Sequence, residues 1–296
     1  MKDAPSQNGR VAVVTGANTG LGLQTALELA RAGARTIIAV RDLSKGKKAA
    51  DTIRAEVPGA DLEVEKLDLA SLDSVREAGA RILEKNPRLD LLINNAGIMM
   101  PPRSETAEGF ETQFGVNHLG HFVLTATLIE RLMATPASRV VTVSSLAHAR
   151  KDAAIHFDDI NWKRSYDKTT SYAQSKLANV LFMYELQRRL EKAGSSTISD
   201  AAHPGWATTD LQRHMPSIMQ PMLRLVSQSA SMGALQTLRA ALDPTAKGGD
   251  YFGPRGRGST KGTPVRQETS ELSHDVKLQQ RLWEVSEKLT NTTFPI

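Results

Sequence analysis

Strand-like and helix-like segments alternate along this chain, which predicts a single doubly wound α/β domain: a parallel sheet of about seven strands with helices on both faces. Three observations carry that expectation. Apolar, β-branched runs recur between stretches of helical hydrophobic period. A glycine-rich turn, TGANTGLG at 15–22, joins the first run to the first helical stretch. The 296 residues show no internal repeat, low-complexity linker or composition break that would divide them.

The elements follow in order. VAVVT (11–15) reads as a buried strand, and LQTALELARAG as an amphipathic helix stopped at Gly33. TIIAV (36–40) is the second strand, followed by a helix from about Ser44 to Val57 that ends before Pro58. LEVEKLDL (62–69) is the third strand, and Ser71 caps a helix running toward Asn86. LDLLINNAG (89–97) is a buried strand ending in turn residues, and one long helix is expected from Glu108 to Ala134. RVVTVSS (139–145) is the next strand, before a helix carrying Tyr172 and Lys176 to about Glu191. A strand near 196–202, helices around 217–242, a short YFG strand and a last helix near 274–290 complete the chain.

Composition narrows the chemistry. With no cysteine there are no disulfides, thiolate nucleophiles or cysteine-ligated metals. The polar start MKDAPSQNGR lacks the apolar run of a signal peptide, and no transmembrane segment is expected, so the expected location is cytoplasmic. The net charge of +5 is spread along the chain. Its one concentrated stretch, GPRGRGSTKGTPVR (253–266), lacks interleaved aromatics and reads as a solvated loop rather than a nucleic-acid site.

The glycine-rich turn sits where a dinucleotide site needs it, between a strand and a helix. Gly16, Gly20 and Gly22 allow the tight turn and the close approach of backbone to a pyrophosphate. With Asn18, Thr19 and Leu21 they would present the helix N-terminus, with its free N–H groups and positive dipole end, to that anion. This is the signature of a Rossmann fold. The second strand is followed by Arg41 and then Asp42, with Lys45 nearby. An arginine here accommodates the 2′-phosphate of NADP, whereas an acid accepts from the ribose hydroxyls of NAD. Arg41 favours NADP; the alternative is a surface cation beside an Asp42 that takes the ribose.

SYAQSKLANV (171–180) places Tyr172 and Lys176 at i and i+4, on one face of a helix. As a mere surface pair they would have no role. As a functional pair, the ammonium would pull the phenol below its ordinary value of about 10, toward working pH. Other tyrosines lack the arrangement: Tyr166 has Thr170 at i+4, Tyr184 has Arg188, and Gly253 and Pro254 interrupt any helix after Tyr251. His118, His121, His148 and His203 lack metal-ligand spacing, and no metal is expected.

TGANTGLG, NNAG (94–97), VVTVSS (140–145) and YAQSK (172–176), in that order, resemble the short-chain dehydrogenase/reductase family, from about Val11 to Asp210. RVVTVSSLAHA, SKLANVLF and RLWEVSEKL are similar to its retinol-dehydrogenase-like branch. The resemblance implies roles. Tyr172 would be the general acid or base, and Lys176 would tune it and bond the nicotinamide ribose. Ser145 would donate to the substrate oxygen, with Ser144 as competitor; Asn117 would hold a water linking the lysine to solvent. Asp68 and Leu69 would flank adenine. Asn94, Ala96 and Gly97 would line the end of the fourth strand. Pro204, Gly205, Ala207 and Thr209 of HPGWATTDL would meet the nicotinamide.

The implied activity is NADP-dependent (NAD less favoured) interconversion of a lipophilic ketone or aldehyde and its alcohol, without metal, and the resemblance leaves a homodimer open. Alternatives are an NADPH-dependent double-bond reductase, whose relatives generally rely on a cysteine, and a non-catalytic NADP-binding regulatory protein. The longer interval between Ser145 and Tyr172 suggests a flap around 152–168. The methionine-rich, proline-broken segment 211–229 suggests a substrate lid.

Overall fold

The computed structural model describes residues 5–206 and 228–296. Val11–Thr15 (β1) is buried throughout and pairs in parallel with Arg35–Val40 (β2) on one side and Leu91–Asn94 (β4) on the other. Leu62–Lys66 (β3), Arg139–Val143 (β5), Ile198–Ala202 (β6) and Tyr251–Pro254 (β7) extend the parallel sheet. An eighth strand, Pro264–Arg266 (β8), pairs antiparallel with β7, and the order is β3-β2-β1-β4-β5-β6-β7-β8. The sheet expected to have about seven strands thus has eight among the described residues. The basic stretch read as a loop closes into a hairpin through Arg255 N–H to the Thr263 carbonyl at 2.8 Å. A three-residue edge strand starting at proline is too short to show an alternating pattern.

Strand residues alternate between two cores. Val13, Ile37, Leu92 and Val140 face one side, and Ala12, Val14, Ile38 and Val141 the other. Helices Gly20–Arg31 (α1), Leu43–Glu56 (α2) and Leu72–Lys85 (α3) cross between the first strands. The long helix expected from Glu108 is interrupted. A short turn, Thr112–Phe114 (α4), leads into a π-type turn, Gly115–Leu119, closed by Gly120 N–H on the Gly115 carbonyl, and then into Gly120–Met133 (α5). Asn117 lies inside that turn.

Lys168–Lys192 (α6) carries the Tyr172–Lys176 pair; Ala230–Leu242 (α7) and Val276–Thr290 (α8) follow. α6 is buried far beyond one face because α8 covers it. Trp283 and Phe294 pack with Phe122 and Phe182 at ring-centroid distances of 4.5–6.4 Å. Among the described residues, no helix is long and apolar enough to cross a membrane.

Residues 152–168 form no strand and reach helix only at Lys168. They are tied down by Gln174, which accepts His156 N–H and donates to the Ile160 carbonyl, and by Arg281 stacked 4.0 Å from the Phe157 ring. The segment expected to be a lid, 211–229, lies outside the described residues except for Gln228 and Ser229.

Candidate active site

The strand order reverses between β1 and β4, and an open groove of about 310 Å³ lies at their C-terminal ends, the crevice where open α/β sheets bind ligands. Gly16, Asn18, Thr19, Gly20, Leu21 and Gly22 form its near wall. Gly16 and Gly20 hold positive φ, +67° and +56°. A Cβ on Gly22 would stand 2.5 Å from the Gly16 carbonyl oxygen and 2.6 Å from Asn95 Nδ2, so only glycine lets strand and helix meet this closely. The first-turn N–H groups of α1 are not taken by a side-chain cap, in contrast to the Asp42, Ser71 and Asp167 caps elsewhere. That cradle suits the pyrophosphate of a dinucleotide.

Arg41, Asp42 and Lys45 line the far end. Asp42 is engaged: its Oδ1 accepts Ser44 N–H at 2.9 Å, Lys45 N–H at 3.2 Å and the Ser44 hydroxyl at 2.7 Å, capping α2. These bonds, the Ser44 hydroxyl first, lower its pKa. Among the described residues, the exposed Arg41 side chain has no hydrogen-bond or ion-pair partner. Asp68 and Leu69, expected to flank adenine, line a side of the groove, and Ala96 and Gly97 its floor.

Asn94 corrects the sequence expectation. It is 1% exposed, and its amide donates to Thr125 Oγ1 at 3.0 Å, away from the groove. Strand alternation gives the groove position to Asn95, whose Nδ2 donates to the Thr15 carbonyl at 2.7 Å. Gly205 takes φ +64° after β6, and the Pro204 carbonyl accepts Gln228 Nε2–H at 2.7 Å; neither lines this groove. Ala207 and Thr209 lie outside the described residues.

The groove floor leads to the catalytic candidates. A Cβ on Gly97 would lie 3.2 Å from Asn117 Oδ1 and 3.5 Å from Lys176 Nζ. The Lys176 ammonium stands 5.7 Å from the Tyr172 ring centroid and donates to the Val143 carbonyl at 3.2 Å. The Ser145 side chain hydrogen-bonds the Tyr172 phenol. Ser144, 2% exposed, donates its hydroxyl to the Lys176 carbonyl at 2.8 Å, which leaves Ser145 as the serine facing the phenol. The Asn117 amide is fully engaged: Oδ1 accepts Ile98 N–H at 2.8 Å, and Nδ2 donates to the Ile98 carbonyl at 3.0 Å and to Ser175 Oγ at 2.9 Å.

The expected lowering of the phenol pKa is not what the geometry produces. Burial pushes Tyr172 up to about 12, and only the Ser145 hydrogen bond opposes it. Burial also brings Lys176 down to about 8. Desolvation of each charged form outweighs their proximity across the ring.

Several groups here gave little sequence signal. Thr15 Oγ1 accepts the N–H groups of Asn95 and Ala96 at 2.9 Å each and meets His121 Nε2 at 2.9 Å. His121 Nδ1 reaches the Asn117 carbonyl at 3.1 Å. Thr112, Val116 and Ile98 line the groove from segments whose pattern marks only helix or loop. Asn95 could have been found, since it lies within NNAG.

A family model described as short chain dehydrogenase matches residues 10–157. Retinol dehydrogenase 13 of Homo sapiens is 43% identical over 298 residues, covering 97% of this chain and 86% of its own length. Retinol dehydrogenase 12 of Homo sapiens is 44% identical over 285 residues, 94% of this chain and 85% of its own. The crystal structure of an uncharacterized protein from Mycobacterium paratuberculosis superposes with a TM-score of 0.83 at 43% identity, covering 100% of this chain and 98% of that one.

Proposed function

The chain belongs to the short-chain dehydrogenase/reductase family of NAD(P)-dependent oxidoreductases, and from that premise we propose that it is an NADP-preferring enzyme interconverting a lipophilic ketone or aldehyde and its alcohol. The observation that carries this reading is the junction at Gly97, where the floor of the dinucleotide groove meets Asn117 and Lys176.

In the reducing direction, a nicotinamide cofactor held in the groove would supply the hydride that reduces the carbonyl carbon. The carbonyl oxygen then takes the Tyr172 proton, while the Ser145 hydroxyl donates to it as negative charge develops. A phenol held near 12 is protonated at working pH, the form that reduction consumes. The Lys176 ammonium would bond the cofactor ribose and stabilise the tyrosinate left behind. Asn117, wedged between Ile98 and Ser175, would keep open the route by which solvent returns the proton.

The NADP preference is supported by the division of labour after β2. Asp42 is engaged in capping α2, while the Arg41 guanidinium at the same end of the groove has no partner among the described residues and suits a 2′-phosphate. The apolar substrate class is supported by the retinol dehydrogenase relatives and by Trp206, 42% exposed just beyond the Pro204–Gly205 turn.

The test is a panel of carbonyls and alcohols of graded hydrophobicity, assayed with NADPH and NADH through nicotinamide absorbance. Turnover of apolar carbonyls with NADPH preferred is the expected result. Binding of the cofactor without turnover of any panel member would replace the enzyme with a cofactor-binding regulator.

A further inference from the structure

Behind the catalytic serine lies a buried polar wall drawn from three distant segments. Ser145 starts a short 3₁₀ turn, Leu146–Ala149, and its hydroxyl accepts Ala147 N–H at 3.2 Å. His148, in that turn, is 3% exposed. Its Nδ1 lies 2.6 Å from the Ser145 carbonyl oxygen, and its own backbone N–H reaches the same oxygen at 3.1 Å. On the other side of the ring, Nε2 accepts the Ser270 N–H at 3.3 Å. An Nε2 that receives a proton donor carries no proton itself in the neutral ring, so the hydrogen sits on Nδ1 and points at Ser145.

The remaining neighbours reinforce this assignment. Tyr251 meets the His148 ring edge-on at 5.2 Å between centroids, with its hydroxyl 3.4 Å from Nδ1. Tyr251 also bonds the Ser144 hydroxyl, which in turn donates to the Lys176 carbonyl. His203 stacks on Tyr251 at 5.4 Å between centroids and is itself fixed by Gln267. The titratable groups around the imidazole are thus Tyr251, His203 and the Tyr172 phenol beyond Ser145. Among the described residues no carboxylate is bonded to it to compensate a charge on the ring.

We propose that His148 is a positioning residue for Ser145: its neutral Nδ1–H tautomer clamps the Ser145 carbonyl and thereby holds the serine hydroxyl against the Tyr172 phenol. The proposal rests on the reading that Ser145 acts on the substrate oxygen. His148 is not among the residues lining the dinucleotide groove, so its effect belongs to the chemical step and not to dinucleotide binding.

Three variants separate the donor from the bulk of the ring. His148→Asn keeps an N–H donor at the position of Nδ1; His148→Phe keeps the ring and loses the donor; His148→Gln places its donor one atom too far. With whichever carbonyl the wild type reduces, Phe and Gln are expected to lower kcat by about 10- to 100-fold, consistent with misplacing one donor in the transition state. NADPH affinity stays unchanged, and Asn recovers to within a few-fold of wild type. Phe at wild-type kcat, Asn as slow as Phe, or NADPH affinity lost together with kcat would each overturn the proposal. A second measurement needs no turnover: long-range ¹H–¹⁵N correlation spectra, with the His148 signals assigned by their loss in His148→Phe. The Nδ1–H tautomer is expected; an Nε2–H tautomer or a charged ring at neutral pH would refute the clamp even if no substrate were found. Failure of the whole carbonyl panel with the Nδ1–H tautomer present counts against the reductase reading and not against the clamp.

Discussion

Lys176 stands one helical turn from Tyr172 with its ammonium 5.7 Å from the centre of the tyrosine ring, yet its hydrogen bond goes to the Val143 carbonyl. The pair is therefore poised, with the phenol held protonated by burial and the ammonium weakened by the same burial. A ligand bringing oxygen acceptors into the space beside Gly97 would give the ammonium the partners it lacks.

Removing only the transferable proton tests the central role. Tyr172→Phe keeps the packed ring and is expected to cut turnover by about 10²–10⁴-fold, with NADPH affinity within a few-fold of wild type. Steady-state kinetics beside fluorescence titration of NADPH checks both halves. A variant that works nearly as well as wild type would remove Tyr172 from the mechanism.

The lowered Lys176 pKa sets a pH dependence for the cofactor. The ammonium is present below about 8 and lost above it. NADPH binding that uses the charged form is therefore tightest at lower pH and weakens as pH rises through that value. Lys176→Met should bind more weakly and lose this dependence. Titrations at a series of pH values decide it, and a flat wild-type profile would argue against the ribose contact.

Arg41→Ala is expected to weaken NADPH far more than NADH, by about 10- to 150-fold, the equivalent of one charge-assisted bond of roughly 1.5–3 kcal/mol. Asp42→Ala should instead behave as the loss of a helix cap, lowering stability and leaving the cofactor ratio unchanged. Equal losses for both cofactors in Arg41→Ala, or a switch in preference in Asp42→Ala, would hand the ribose to Asp42.

His118 predicts how acid unfolds the protein. Burial lowers its pKa from the ordinary 6.5 to about 3, and its Nε2 bonds Ser286 Oγ at 2.8 Å. The unfolded chain takes up a proton below about 6.5 that the folded chain refuses until about 3. Stability from this group is thus whole above 6.5 and falls as the solution is acidified through that window. His118→Gln retains a donor for Ser286 without titrating. It should reduce the slope of unfolding free energy against pH by up to about 1.4 kcal/mol per unit. Urea unfolding between roughly pH 4.5 and 6 measures it, and an unchanged slope would exclude the histidine as a source of acid sensitivity.

Much of the site was legible because its chemistry is local in the chain. The i, i+4 spacing put Tyr172 and Lys176 on one helix face, and Ser71 and the TGANTGLG turn announced themselves by helix-terminus rules that act over a few residues, whereas the capping role of Asp42 emerged only in the structure. The apolar runs of β1, β2, β4 and β5 sufficed for the fold class because parallel strands buried on both faces read as continuous rather than alternating hydrophobic stretches.

Tertiary structure decided what depends on burial and on contacts between distant segments. A phenol and an ammonium one turn apart gave no hint which way their protonation would move; the packing that desolvates both ruled it. The exchange of Asn94 for Asn95 hinged on the single residue at which β4 ends. The three-residue β8 exists only because β7 offers it an edge. The tautomer of His148 is set by Ser145 and by Ser270, more than a hundred residues apart in the chain and brought to opposite sides of one ring by the fold.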